Sequence, residues 1–300
     1  MSDLKYVHRK AMGLANSCRL VKFLSERRAF SVKHCGDFLL FDVYRNLNDP
    51  DLTKRILSGG MFCHYRFCIL CSYRKCRKLQ HEILSAINHF EQDPACRFSY
   101  LFLTLTVPNC AMADLREVAS RMSYAFSKMT KVKIWRLAVK GYVRSIEFIG
   151  DHTENGMAHP HFHVLLAVDS SYFHSAEYIS FEQWRALWSN AYGVDNLIVR
   201  IEKIRTKYLP NGEKLPAKIA AVSECLKYSM DLTDLKKLSS DDLKHLMEQS
   251  RGIKQCNRGG IFQNIFNDPV DLCEWELVTQ EGFRWLNNKY CPLNTDEACE

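Results

Sequence analysis

Apolar and polar positions change their period along this chain, from two to that of a helix and back. Phe98–Val107 reads most clearly as a strand. Leu103, Leu105 and Val107 fall on one face, Thr104 and Thr106 on the other, and Pro108-Asn109 ends it. Val143–Ile149 and His161–Val168 alternate in the same way around a loop at Gly150–Ala158, and Leu197–Ile204 is a further strand. Helical spacing covers Leu79–Phe90, Met112–Trp135 as one long amphipathic helix, Phe181–Ala191 up to Gly193, Lys218–Met230 and Asp241–Gln249. A polar linker at Thr206–Ala217 centres on Pro210-Asn211-Gly212. Hairpin-joined strands interleaved with helices predict an α+β fold with a central antiparallel sheet.

This pattern occupies residues 81–267. Residues 1–80 are basic and cysteine-bearing, with short apolar runs such as Phe38-Leu39-Leu40-Phe41; residues 268–300 form an acidic tail with Trp275 and Trp285 and no motif. At 300 residues and 47% hydrophobic, the chain can bury a core in one large domain or two small ones, which excludes a disordered protein. A net charge of +7 favours an anionic partner. The N-terminus lacks the apolar stretch of a signal peptide. The longest strongly apolar runs, Tyr100–Leu103 and Val164–Val168, are strand-sized, so a cytoplasmic location is expected. There the 13 cysteines would be reduced thiols, and closely spaced ones are metal-ligand candidates.

Chemistry concentrates first in His159-Pro160-His161-Phe162-His163-Val164-Leu165-Leu166. On a strand His159, His161 and His163 share one face, while Phe162, Val164 and Leu166 seal the other. The preceding strand puts Ile146 and Phe148 on one side and Glu147 on the opposite one. A hairpin between the two would set Glu147 across from His161, about 5 Å away. A lone histidine is ordinarily a hydrogen-bonded core residue. Imidazoles in phase beside an in-phase carboxylate predict a divalent-ion centre of His161, His163 and Glu147, with His159 as a further candidate. Glu224 and Tyr228 stand one helical turn apart, with Lys227 beside the tyrosine. That pair alone occurs on many ordinary helices.

A second cluster, Cys63-x4-Cys68-x2-Cys71, gains a fourth thiol from Cys35 in a Cys-Gly turn, with Cys76 and His64 as competitors. Four thiolates suit a structural zinc ion. Arg66, Arg74, Lys75, Arg77 and Lys78 surround it with Tyr65 and Tyr73 interleaved. This is either a grip on DNA or a solvated face of the zinc element.

The order Phe102-Leu103-Thr104-Leu105-Thr106-Val107-Pro108-Asn109, Glu147, His159–Leu166 and Glu224–Tyr228 resembles the three-motif layout of HUH endonucleases. Among them it looks most like the single-tyrosine initiators of rolling-circle plasmid replication. Arg251-Gly252 and Gly259-Gly260-Ile261-Phe262 resemble the end of their catalytic domain. The resemblance implies a ferredoxin-like fold preceded by a zinc-binding element, and a Mg²⁺ or Mn²⁺ ion on Glu147, His161 and His163. It implies that Tyr228 attacks a phosphodiester of single-stranded or hairpin origin DNA, and that Glu224 activates water at termination. With no second tyrosine on that helix, the second cleavage falls to Glu224 or to the other protomer of a homodimer. A host helicase and polymerase are implied as partners. Some related enzymes carry a lysine three residues after the tyrosine; here Asp231 stands there, and Lys227 is the alternative source of positive charge. A transposase of the same superfamily, or a zinc-bearing DNA-binding regulator without catalysis, are the rival expectations.

Overall fold

The computed structural model describes residues 3–93, 96–150, 153–154, 156–204, 207–208, 214–226, 232–265 and 272–293. The chain divides into two compact units, Met1–Lys75 with Asp268–Glu300, and Cys76–Asn267. In chain order the first unit has helices α1 (Asp3–Leu20) and α2 (Glu26–Lys33) and strands β1 (Phe38–Asn46) and β2 (Thr53–Gly60). Helix α3 (Ile69–Gln92) gives its first residues to this unit and the rest to the second. The second continues with β3 (Phe98–Thr106), β4 (Cys110–Ala111), α4 (Leu115–Met129), α5 (Lys133–Ala138), β5 (Val139–Glu147), β6 (Met157–Ala158) and β7 (His161–Asp169). Then come α6 (Phe181–Tyr192), β8 (Val199–Lys203), β9 (Lys207–Tyr208), β10 (Lys214–Leu215), α7 (Ala217–Cys225), α8 (Leu232–Lys237), α9 (Ser240–Gln249) and β11 (Cys256–Gly260). Strands β12 (Trp275–Leu286) and β13 (Lys289–Pro292) return to the first unit. The class is α+β with antiparallel sheets, as expected.

In the first unit the strand order is β13-β12-β1-β2. Leu39, Phe41 and Val43 of β1 alternate into the core, where Phe41 meets Tyr6 of α1 and Phe283 of β12 edge to face. Two segments of the stretch read as a motif-free tail, β12 and β13, therefore belong to this sheet: β12 pairs with β1 from Phe38↔Arg284 to Asn46↔Trp275. Lys10 is buried, 3% exposed, and its ammonium donates to Asp37 Oδ1 at 2.5 Å and to the Cys35 carbonyl at 2.8 Å. His34 Nδ1 lies 2.6 Å from the other carboxylate oxygen. Burial pushes the Asp37 carboxyl up, but hydrogen bonds from Lys10 and His34 and their charges outweigh it and hold it below the usual range.

In the second unit the order is β11-β5-β7-β3-β8, every pair antiparallel. One face carries Leu101, Leu103 and Leu105 of β3 with Phe162, Val164 and Leu166 of β7, all buried. Aromatic rings of α4 and α6 cover it, Phe126 lying 5.8 Å and Trp188 6.2 Å from Phe162. Arg144 is buried on this face over the rings of Phe162 (4.0 Å) and Phe126 (4.8 Å), and burial pulls its guanidinium down to about 10. The other face packs Val143, Leu165 and Ala167 under Ile83 and Ile87 of α3, Ala221, Val222 and Cys225 of α7, and Phe262.

Two helices differ from expectation. The predicted single helix over Met112–Trp135 breaks after Met129. Thr130 turns its hydroxyl back to the Ser127 carbonyl, and Val132 is extended before α5 begins, which lets Trp135 face the core. Helix α3 starts at Ile69, ten residues before the predicted Leu79; its first turns carry cysteines and basic residues in place of an apolar stripe, so helical spacing is not visible there. Helix α6 runs as read, with a capping box of Ser180 and Gln183 and left-handed Gly193 at its end.

Asp37→Asn is expected to lower stability by about 1.5–3 kcal/mol at neutral pH by leaving the buried Lys10 without its carboxylate. The folded carboxyl titrates below its unfolded value, so its contribution is present above about 3.9 and is lost as pH falls through the folded value. Urea unfolding of both proteins at neutral and descending pH measures this. A difference that fails to shrink on acidification would contradict it.

Candidate metal centre

The hairpin register fixes the site. Glu147 pairs with His161 and Ser145 with His163 across β5 and β7. On the other side of β7, Thr106 pairs with His161 and Thr104 with His163. Residues directly opposite share a face, so the acid, both imidazoles and both threonines lie on the side covered by α3 and α7. Glu147 Oε2 stands 3.2 Å from His161 Nε2 and 3.5 Å from His163 Nε2, and the two nitrogens are 3.2 Å apart. These three side chains form a group able to hold a metal ion. The fit is supported by Glu147 Oε1, which is buried without a hydrogen-bond partner, an acceptor that an ion would satisfy.

Both rings are held from behind. His161 Nδ1 lies 2.9 Å from the His159 carbonyl and His163 Nδ1 lies 3.4 Å from Thr104 Oγ1. Phe102 stacks on His163 at 5.3 Å and 28°. The His159 carbonyl can only accept, so it favours the proton on His161 Nδ1, and both contacts leave Nε2 turned toward Glu147. Burial acts to raise the Glu147 carboxyl, but hydrogen bonds and charge from His161 and His163 hold it down at about 2. Burial acts to lower His161, and the partnership with Glu147 reverses it, so the imidazole is raised.

His159 does not join the group. It precedes β7, and its Nδ1 contacts Asn109 Oδ1 at 2.5 Å. Helix α7 crosses the strands at the triad: Cys225 Sγ donates to the carbonyls of Val143 (3.3 Å) and His163 (3.5 Å), and Ser145 Oγ donates to the Cys225 carbonyl. Glu224, on this helix, lines a cavity of about 620 Å³ together with Phe102, Thr104 and His163. Lys227 and Tyr228 lie outside the described residues, as does Asp231. The roles of Phe102 and Thr104 were missed in the sequence. The alternation placed Thr104 on a face, but only the register gives it His163 as partner.

The four cysteines also converge. Cys35 Sγ is 3.5 Å from Cys71 and 3.4 Å from Cys68, Cys63 is 3.7 Å from Cys71, and all four are buried. Backbone N–H groups of His64 and Tyr65 donate to the sulfurs of Cys71 (3.2 Å) and Cys63 (3.5 Å). His64 takes a left-handed backbone (φ 53°) in this turn. Hydrogen bonds from its three neighbours and the His64 N–H push Cys71 toward thiolate, while sharing those bonds pushes Cys35 up. Of the competitors for the fourth place, Cys76 turns to the Leu226 carbonyl and His64 is exposed. This group too is able to hold a metal ion.

Fold and site thus define an α+β protein with an imidazole–carboxylate group on a sheet and a four-thiol group beside a separate sheet. A family model described as replication protein matches residues 54–289, and the chain belongs to this Rep family, the plasmid replication initiators. It is similar to Protein rep of Lentilactobacillus hilgardii, 32% identical over 82% of this chain and 76% of that one. It is likewise 32% identical to Protein rep of Staphylococcus aureus over 67% of this chain and 85% of the relative. Protein rep of Streptococcus pneumoniae is 28% identical over 78% and 69%. No solved structure matches the chain. Among the described residues no helix is long and apolar enough to cross a membrane.

Thr104→Val keeps the shape of the side chain and removes the oxygen behind His163. It is expected to weaken Mn²⁺ binding about 10- to 100-fold, read by calorimetric titration of the full chain. An unchanged affinity would show that the threonine does not orient the ring.

Proposed function

We propose that this chain initiates plasmid replication by nicking one strand of single-stranded or hairpin origin DNA with Tyr228, on a ferredoxin-like sheet of the HUH type. The observation that carries the reading is the convergence of Glu147 Oε2 on the Nε2 atoms of His161 and His163, on the face crossed by α7. Glu147, His161 and His163 would hold Mg²⁺ or Mn²⁺, which when bound draws negative charge from the scissile phosphate.

The Tyr228 oxygen forms a bond to phosphorus and the bond from phosphorus to the 3′ oxygen breaks. That oxygen keeps the electron pair and takes a proton, giving the 3′-OH that primes a host polymerase behind a host helicase. The 5′ phosphate stays on the tyrosine. A phenol with a pKa near 10 is a weak nucleophile at neutral pH, and Lys227, its neighbour in sequence, supplies charge that favours phenolate. Glu224 acts as base toward water at termination, or a second protomer of a homodimer makes that cut. The thiolates of Cys35, Cys63, Cys68 and Cys71 hold a structural Zn²⁺. The relatives above are Rep proteins, which favours an initiator over a transposase of the same superfamily.

The test is cleavage of end-labelled single-stranded DNA carrying the replicon's origin, with Mn²⁺. Wild type is expected to leave a covalent protein–DNA adduct through the 5′ phosphate. Tyr228→Phe should lower its yield on the order of 10³-fold or more. Equal yields from both proteins would end the assignment, and no cleavage by wild type would leave the non-catalytic regulator as the better reading. For the second centre, metal analysis of the purified full chain is expected to find one zinc per chain, reduced in Cys68→Ser. Zinc-free, folded wild-type protein would contradict the zinc site.

A further inference from the structure

The cavity beside the triad is larger than a phosphate needs. At about 620 Å³ it lies in the range of sites that enclose small organic ligands, about 300–1,000 Å³. Its triad end is His163, Thr104 and Glu224. Its far wall is β8, the edge strand of the sheet, and Ala220 and Ala221 of α7 leave the space open because they have almost no side chain. Register sets the chemistry of that wall. Arg200 pairs with Thr104 and Glu202 with Phe102, so both project on the same face as His163. Arg200 Nε donates to Glu202 Oε1, and the two side chains remain 75% and 49% exposed. The guanidinium keeps further N–H donors and the carboxylate keeps acceptor capacity. Phe102, stacked on His163, also lines the cavity, so a flat ring entering it would extend that stack.

An aromatic platform, a two-donor cation and an acceptor pair side by side complement one base better than the others. Guanine presents acceptors at O6 and N7 and donors at N1 and N2; arginine matches the first pair, and a carboxylate matches the second. We infer that this cavity receives an unpaired guanine next to the phosphate held at the triad, read by Arg200 and Glu202 and stacked on Phe102. The inference rests on the nicking reading for the identity of the ligand as a DNA strand, and it names the residues that choose the base.

Binding without chemistry separates the two. The full-length chain, in buffer with neither chelator nor added divalent ion, is mixed with a randomised single-stranded DNA library, and the captured strands are sequenced. Wild type is expected to enrich guanine at one position, and Arg200→Ala should reduce that enrichment about tenfold while preferences elsewhere persist. Arg200 is exposed, so this variant keeps the fold; Glu202→Gln should flatten the same position. Ala221→Phe, which fills the cavity, should weaken binding about tenfold, with circular dichroism checking that it folds. No guanine preference in wild type, or a preference unaltered in Arg200→Ala and Glu202→Gln, would overturn the inference. Guanine selection without Mn²⁺-dependent cleavage would instead remove the nicking reading and leave the base site standing.

Discussion

The site depends on the strand register on both sides of β7. With a side-chain period of two, a slip of one residue between β5 and β7 would turn Glu147 from the imidazoles to the face packed by Phe126 and Trp188. Several contacts oppose such a slip. Arg144 is clasped by Phe162 and Phe126, where a shorter residue in its place would leave a void. Ser145 is tied to the Cys225 carbonyl of α7. At the far end Gly259 and Gly260 let β11 approach β5 so closely that a Cβ at Gly260 would collide with the Lys140 carbonyl.

The electrostatics follow from that register. A carboxylate buried beside two imidazoles is costly unless positive charge compensates it. Here the imidazoles supply that charge: the acid is held down at about 2 while His161 is raised. The carboxylate is thus compensated inside the fold by the imidazoles it touches. Thr104 and the His159 carbonyl hold the rings in place, because they contact Nδ1 and leave Nε2 turned toward Glu147.

Elements that face a core on one side only were legible in the sequence. Strand β3 reads as Leu101, Leu103, Leu105 against Phe102, Thr104, Thr106, and its burial follows that alternation. The grouping of Glu147 with His161 and His163 was legible for the same reason. Helix α1 was not, because Lys10, Asn16 and Ser17 are buried and break any apolar stripe; Lys10 is accepted there because Asp37 and the carbonyls of Cys35 and Lys33 accept its hydrogen bonds. Strand β12 was not, because most of its side chains are exposed on both faces and its place comes from backbone pairing with β1. The cavity on β8 was not, because it needs Ala220 and Ala221 opposite Phe102, a relation that no local pattern encodes.

The two ligand groups differ in a way that separates their chemistry. Four buried thiols from Cys35, Cys63, Cys68 and Cys71 would fill every position of a tetrahedral ion by themselves. Glu147, His161 and His163 supply only three ligands, and His163 also lines a cavity large enough for an organic ring. Divalent ions that prefer oxygen donors take more than three ligands, so these three residues alone would not complete such an ion's shell. A closed thiol set would only constrain the chain around it, whereas an incomplete set beside a cavity would leave room for a ligand's own oxygen. The second group is also the one that α7 crosses, through Cys225 and its hydrogen bonds to β5 and β7.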